Sequence, residues 1–259
     1  MTFADAKQRF SSRVADYVRY RPGYPTALLD LLHEECSLLP QHVIADIGSG
    51  TGLLSKLFLE NGNCVFGVEP NAEMRSAGED FLAPHPRFKS IGSSAEATTL
   101  PDDSVDFVAA GQAFHWFDPV ATHREFARIL RPAGWAVVVW NDRRTSESPF
   151  GREYEDLLAT FGTDYKRVKD AYPETHDMIR FFGEGRFRFR ELPNFQEFDF
   201  DGLCGRLRSS SYAPQPGHPN HVPMMNALRK LFDASQRHGR VLMNYTTLVY
   251  FGQLEGKPR

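Results

Sequence analysis

The sequence predicts an open α/β sheet of mostly parallel strands, and two observations carry that prediction. Between residues 43 and 140, short apolar runs alternate with segments whose apolar residues recur at helical spacing. The first run ends in a glycine cluster, Gly48-Ser49-Gly50-Thr51-Gly52, that leads into a helical stripe. Strands separated by single helices pair in parallel through right-handed crossovers, and ligands of such sheets sit at the carboxyl ends of the strands.

The elements follow in order. Residues 1–35 read as helix interrupted by a turn: Val14, Val18, Leu28, Leu29, Leu31 and Leu32 keep helical spacing around Arg21-Pro22-Gly23-Tyr24-Pro25, where two prolines break it. Val43-Ile44-Ala45 is the first strand. Leu53, Leu54, Leu57 and Phe58 then form one stripe of a helix that stops at Asn61-Gly62. Residues 64–68 are a second buried strand, and Asn71 caps a helix through Asp80. Residues 88–91 form a third strand, and the turn residues Pro101-Asp102-Asp103-Ser104 precede a fourth at 105–110. Asp118-Pro119 is an N-cap followed by a first-turn proline, and Arg131-Pro132-Ala133-Gly134 ends that helix before a fifth strand at 135–140.

After Asn141 the rhythm changes. Residues 142–185 are polar and aromatic, with helices predicted around 150–160 and 174–182, and read as an insertion or lid. Residues 187–200 alternate like a strand or hairpin, 223–238 read as helix, and 240–251 form a long β-rich strand. Strands this late in the chain, with little between them, are expected to pair antiparallel. The expected organisation is one domain: cap helices at 1–35, a ligand-binding core at 36–141, the insertion at 142–185 and completing strands at 186–259.

Composition excludes several classes. The 30 Lys+Arg against 33 Asp+Glu leave a net charge of −3, which argues against a protein built to neutralise phosphates, so no nucleic-acid partner is expected. No apolar run approaches the roughly 18 residues of a membrane span, and the first residues carry no apolar leader. Cys36, Cys64 and Cys204 are few and scattered, fitting neither a disulfide framework nor a metal knuckle; a cytoplasmic setting is expected.

The glycine cluster carries the chemistry. Gly48, Gly50 and Gly52 are spaced G-x-G-x-G, whereas the dinucleotide fingerprint would place a glycine at Leu53, which disfavours a nicotinamide-dependent oxidoreductase. Asp46 stands just before the cluster, and Glu69 ends the second strand, where a carboxylate accepts hydrogen bonds from both hydroxyls of an unphosphorylated ribose. Two carboxylates suit a nucleoside ligand with positive charge and no pyrophosphate.

Asp46-Ile47-Gly48-Ser49-Gly50-Thr51-Gly52, with Glu69 and the alternation up to Asn141, resembles the class I S-adenosylmethionine-dependent methyltransferases, in their small-molecule branch, which includes carboxyl methyltransferases acting on aconitate-like or fatty acids. The resemblance implies a Rossmann-like, seven-stranded sheet with the last strand antiparallel, S-adenosyl-L-methionine as cofactor, and O- or C-methylation of a small-molecule acceptor, a carboxylate among the candidates. It implies that Gly48, Ser49 and Gly50 lie under the methionine part, that Glu69 takes the ribose, and that Pro70 and Met74 flank the adenine. Ser94-Ala95-Glu96 matches the step where the family often has an acidic residue before a small one; Ser replaces that acid here. Gln112, Ala113 and Phe114 fall where the transferable methyl is expected, and Tyr17, Tyr20 and Arg21 resemble a cap that closes over the methionine carboxylate.

His115 and Trp116 are the candidate catalytic residues, as acid, base or acceptor-positioning groups and as an aromatic wall beside the sulfonium. Each has a plainer reading in packing. Asn141-Asp142-Arg143-Arg144 is well placed for the acceptor. Arg186, Arg188 and Arg190 share one strand face, better suited to solvent than to an acidic substrate. His218 and His221 have metal-like spacing without companions, so no metal is expected. The rival reading is a non-catalytic protein that binds adenosyl ligands, and a monomer or homodimer is expected.

Overall fold

The computed structural model describes residues 14–169 and 175–254. The first thirteen residues of the expected cap, residues 170–174 of the insertion and residues 255–259 lie outside the described residues. One seven-stranded sheet runs through the molecule in the order β3-β2-β1-β4-β5-β7-β6. Its strands are β1 (Val43–Ile47), β2 (Cys64–Val68), β3 (Phe88–Ile91), β4 (Val105–Gly111), β5 (Leu130–Arg143), β6 (Phe187–Phe198) and β7 (Val241–Gly252). The first five pair in parallel, and β7 runs antiparallel to both β5 and β6. Chain order runs outward from β1 to β3, then returns to lay β4 on the other side of β1. The crossovers leaving β1 and β4 diverge there, which opens a crevice at the carboxyl ends of those strands.

The period-2 alternation of buried strands divides the core. Ile44 joins Leu28, Leu32, Leu57 and Phe58 on one face, under α2 (Ala27–Cys36), α3 (Leu53–Glu60) and α4 (Ala72–Leu82). Ala45 and Ile47 join Val68, Val108, Phe126 and Phe181 on the other, under α5 (Pro119–Ile129) and α8 (Thr175–Phe182). The two predicted N-caps form: Asn71 Oδ1 accepts from the amides of Glu73 and Met74, and Asp118 Oδ1 from those of Val120 and Ala121.

A third apolar cluster stands beyond the carboxyl end of β5, where Leu158, Leu203, Leu228 and Met243 meet. It unites α6 (Pro149–Phe161), α9 (Phe200–Arg208) and α10 (His221–Ser235) with the ends of β6 and β7. Residues 142–185 therefore divide. Helix α6 packs on α10 in this cluster, while α8 lies against α5 and β6 and covers the sheet. Their amphipathic faces are committed to two separate layers.

Three details differ from the sequence expectation. Helix α5 ends at Ile129, and residues 130–134 begin β5, with a register shift between Val105 and Phe107. Strands β6 and β7 do pair antiparallel, with the expected α10 between them; α9, also between them, and the five-residue α7 (Tyr165–Lys169) were not expected and had no distinct periodic signal. No described helix is long and apolar enough to cross a membrane.

Candidate active site

The carboxyl ends of β1, β2 and β4 surround a cavity of about 260 Å³ that continues under the third cluster. At its inner end the glycine loop turns sharply, with φ of +66° at Gly48 and +56° at Gly50. These are left-handed conformations that side chains disfavour. The Gly48 and Ser49 amides both donate to the Val68 carbonyl, at 2.8 and 3.1 Å, which ties the loop to the end of β2. A Cβ on Gly48 would stand 2.6 Å from the Ala113 Cβ, so loop and β4 end approach as closely as backbone permits.

Glu69 reinforces the turn. Its Oε2 accepts from the Gly50 amide at 2.9 Å and its Oε1 from the Asn71 amide at 2.8 Å. An ionised carboxylate has about four acceptor positions, so capacity is left for ribose hydroxyls. Pro70, Asn71, Met74 and Ala95 line the adjoining wall. Asp46 is fully buried at the end of β1; Oδ2 accepts from the Ser55 hydroxyl at 2.6 Å, and Oδ1 has no hydrogen-bond partner. Burial pushes its carboxyl up to about 7, the Ser55 bonds opposing and the Glu69 charge adding. A cationic adenosyl ligand fits this end on two counts: an orphaned buried carboxylate oxygen, and a second carboxylate holding the loop.

The Asp46 shift has a sign. Its folded value stands above the ordinary 3.8, so its contribution to stability is complete below 3.8 and is lost as pH rises to about 7. The melting temperature of the ligand-free protein is expected to fall over that interval relative to Asp46→Asn. Parallel melting curves for the two proteins across that range would contradict the shift.

Several sequence candidates are brought together. Arg21, Asp46, Gly48, Ser49, Gly50 and Glu69 all line the cavity, as do Pro70, Met74, Ala95, Gln112, Ala113 and Trp116. Tyr17 does too, with the Arg21 guanidinium 4.8 Å from its ring centroid. Tyr20 does not. Its ring, at the last residue of α1 (Val14–Tyr20), lies against Gly205 of α9. Ser94 and Glu96 are likewise outside the lining; a Glu96 carboxylate oxygen accepts from the Asp118 amide at the start of α5.

Phe114 and His115 are also turned away. A single 3₁₀ turn spans Phe114–Trp116, and its three residues per turn send successive side chains about 120° apart. Phe114 packs edge-on against Phe181, and Trp116 reaches the cavity. His115 is enclosed between Trp116 and Trp140, at ring separations of 4.4 and 5.0 Å. Burial pulls its imidazole down to about 3, and its Nδ1 has no hydrogen-bond partner. Arg188 and Arg190 hold the two oxygens of Glu35 on the surface, at 2.5 and 2.6 Å, and His221 Nδ1 lies 2.9 Å from the Pro214 carbonyl. Among the described residues no group of three or more His, Cys, Asp and Glu could hold a metal.

Other lining residues had no signal in the sequence. Tyr24 enters from the proline turn with its hydroxyl pressed against Gly111, and burial pushes its phenol up. The turn is fastened to the sheet: the Asn141 and Asn194 side-chain amides both donate to the Gly23 carbonyl, at 3.1 and 2.9 Å. At the outer end Asn141, Asp142 and Arg143 of β5, expected near the acceptor from the sequence, meet Glu155, Tyr165, Arg206 and Tyr212, which it did not single out; Arg144 is not in the lining. Residues this far apart in sequence converge only through the third cluster, which no local pattern announces.

The fold and site define an α/β enzyme that binds an adenosyl ligand at a glycine loop. A methyltransferase-domain family profile matches residues 45–138. An uncharacterized methyltransferase of Mycobacterium tuberculosis is 38% identical over 178 residues, covering 68% of this chain and 69% of the relative. An uncharacterized methyltransferase-like protein of Schizosaccharomyces pombe is 32% identical over 250 residues, covering 95% of each. The fold is shared with a solved structure from Anaeromyxobacter dehalogenans (TM-score 0.66, 23% identity, 92% of this chain and 100% of that one). It is shared too with a methyltransferase from Geobacter sulfurreducens solved with S-adenosyl-L-homocysteine (TM-score 0.54, 15% identity, 96% and 98%). The chain belongs to the S-adenosylmethionine-dependent methyltransferases.

Proposed function

We propose that the protein transfers a methyl group to a small-molecule acceptor held in this cavity, onto oxygen or carbon, with a carboxylate oxygen the favoured target. One observation carries the reading: a single cavity has the glycine loop, Asp46 and Glu69 at one end and polar side chains of β5 and the third cluster at the other. Bound S-adenosyl-L-methionine supplies an electrophilic methyl carbon on a positively charged sulfur. The chain's contribution is to hold two reactants aligned, which removes a large entropic part of the barrier.

In this reading Gly48, Ser49 and Gly50 hold the methionine part, Arg21 its carboxylate, and Glu69 the ribose hydroxyls. Pro70, Met74 and Ala95 flank the adenine. Gln112 and Ala113 border the methyl, and Trp116 excludes water beside it. The Gln112 side-chain amide donates to the Asn141 carbonyl at 3.0 Å, which steadies that border. A carboxylate is ionised at neutral pH and attacks without a base, in keeping with a cavity whose nearby imidazole, His115, packs between two indoles outside the lining. His115 then acts as a support for Trp116.

That role makes a prediction. His115→Phe is expected to leave the affinity for S-adenosyl-L-homocysteine within about twofold, whereas His115→Ala lowers stability by about 2–3 kcal/mol through the space left between the indoles. A large loss of affinity in the phenylalanine variant would restore His115 to the site. Incubating a metabolite extract with the protein and a deuterated methyl donor, followed by mass spectrometry, tests the function itself. Label confined to macromolecules, or absent, overturns the small-molecule reading.

A further inference from the structure

Asp46 and Glu69 stand at the glycine-loop end of the cavity; at the other, Arg143 and Arg206 stand with Asp142 and Glu155. Arg206, in the last turn of α9, is only 3% exposed. Its Nε donates to the Tyr245 hydroxyl at 3.1 Å and its Nη1 to the Ser210 hydroxyl at 3.0 Å, both neutral oxygens. No carboxylate pairs with it among the described residues; Glu155, the nearest acid on α6, lies 3.5 Å from Arg143. The charges and phenols around Arg206 are Arg143, Tyr154, Tyr212 and Tyr245. The Tyr154 hydroxyl is itself buried without a hydrogen-bond partner.

A guanidinium withdrawn from water and offered only hydroxyls carries a desolvation cost that an anion relieves. The carbonyl end of α9 offsets part of that cost. The cavity is where the remaining anion is delivered.

We propose that Arg206, with Arg143 beside it, is a subsite for an anionic group of the acceptor (a carboxylate, phosphate or sulfate) that is distinct from the atom methylated. An oxygen sharing its lone pairs with guanidinium donors is a weak nucleophile, so this group serves as a handle. It fixes the acceptor at the far end while another atom faces the methyl. The inference rests on the acceptor reading above and narrows it to molecules with an anionic group apart from the reacting one.

Tyr212 provides a reporter. Arg143 Nη1 donates to its hydroxyl at 2.9 Å. Burial raises the phenol, but Arg143, Arg206 and Arg21 outweigh it, and Tyr212 ionises below the ordinary phenol range. Glu155, Tyr154, Tyr165 and Tyr245 are the other titratable groups of this cluster. An anion bound between the guanidiniums opposes the charge on Tyr212 and is expected to move its ionisation back toward the ordinary phenol range.

The protein, saturated with S-adenosyl-L-homocysteine, is titrated at mildly alkaline pH with succinate, inorganic phosphate and inorganic sulfate, with succinamide as the neutral control. Tyrosinate absorbance and melting temperature are read together. Succinate or one of the inorganic anions is expected to lower the absorbance and raise the melting temperature, succinamide neither, and the tightest binder identifies the class of handle. Arg206→Gln is expected to weaken anion binding by at least about tenfold, with part of it kept in Arg206→Lys. Tyr212→Phe removes the absorbance signal while keeping the thermal one.

Anions that bind wild type and Arg206→Gln alike, or succinamide that binds as well as succinate, overturn the proposal. If Arg206→Gln does not fold, Arg206→Lys and the wild-type melting temperature decide: no thermal shift at saturating anion overturns it. Failure of S-adenosyl-L-homocysteine to bind at the outset counts against the cofactor assignment instead, and the same anion titration without it still tests Arg206.

Discussion

Replacing Glu69 with alanine is expected to weaken the binding of S-adenosyl-L-homocysteine by about a hundredfold or more, measured by calorimetry. Charge-assisted hydrogen bonds are worth about 1.5–3 kcal/mol each, and two ribose hydroxyls stand to lose one apiece. The residue also accepts from the amides of Gly50 and Asn71, so its removal frees the loop that lies under the ligand. Glu69→Gln separates the two contributions. Its amide has one acceptor oxygen in place of two, so it cannot keep one backbone amide on each oxygen and is expected to fall between wild type and Glu69→Ala. An alanine variant that binds within about twofold of wild type would remove Glu69 from the ribose.

The second large effect is expected at Gly48. Gly48→Ala sets a side chain at φ +66°, costing about 1–2 kcal/mol, and drives its Cβ to 2.6 Å from the Ala113 Cβ. The obstructing atom is held by backbone and cannot swing aside, so overpacking adds about 1–3 kcal/mol. The combined loss is read from denaturant unfolding, with cofactor binding lost alongside. Gly50→Ala is the informative contrast. Its φ of +56° carries the same conformational cost, but its Cβ meets only the Met74 Cε, at an ordinary 3.4 Å. Equal destabilisation by the two substitutions would mean that conformation alone, not the close approach to β4, makes Gly48 necessary.

What the sequence made legible was local. The G-x-G-x-G cluster, the acid closing β2 and the caps at Asn71 and Asp118 depend on neighbours a few residues away, so the pattern and the physics coincide. Legibility failed where orientation or long-range packing decides. Tyr17 and Arg21 line the cavity while Tyr20, at a neighbouring helical position, packs on α9, a distinction that needs the position of α9. His115 and Trp116 are adjacent, yet one 3₁₀ turn keeps the first out of the cavity lining and presents the second. Arg206 was not singled out in the sequence; only its convergence with Tyr212 and Tyr245 from distant parts of the chain encloses it. Tyr24 sat within the proline turn in plain view, but nothing in its immediate surroundings says that it reaches β4.

The tethering of the glycine loop has a kinetic corollary. With Val68 and Glu69 already gripping its amides, the cradle is rigid before any nucleoside arrives. Encounter therefore spends little free energy on immobilising the receptor, and differences in residence time among adenosyl compounds should track their own contacts, not a slow reshaping of the host.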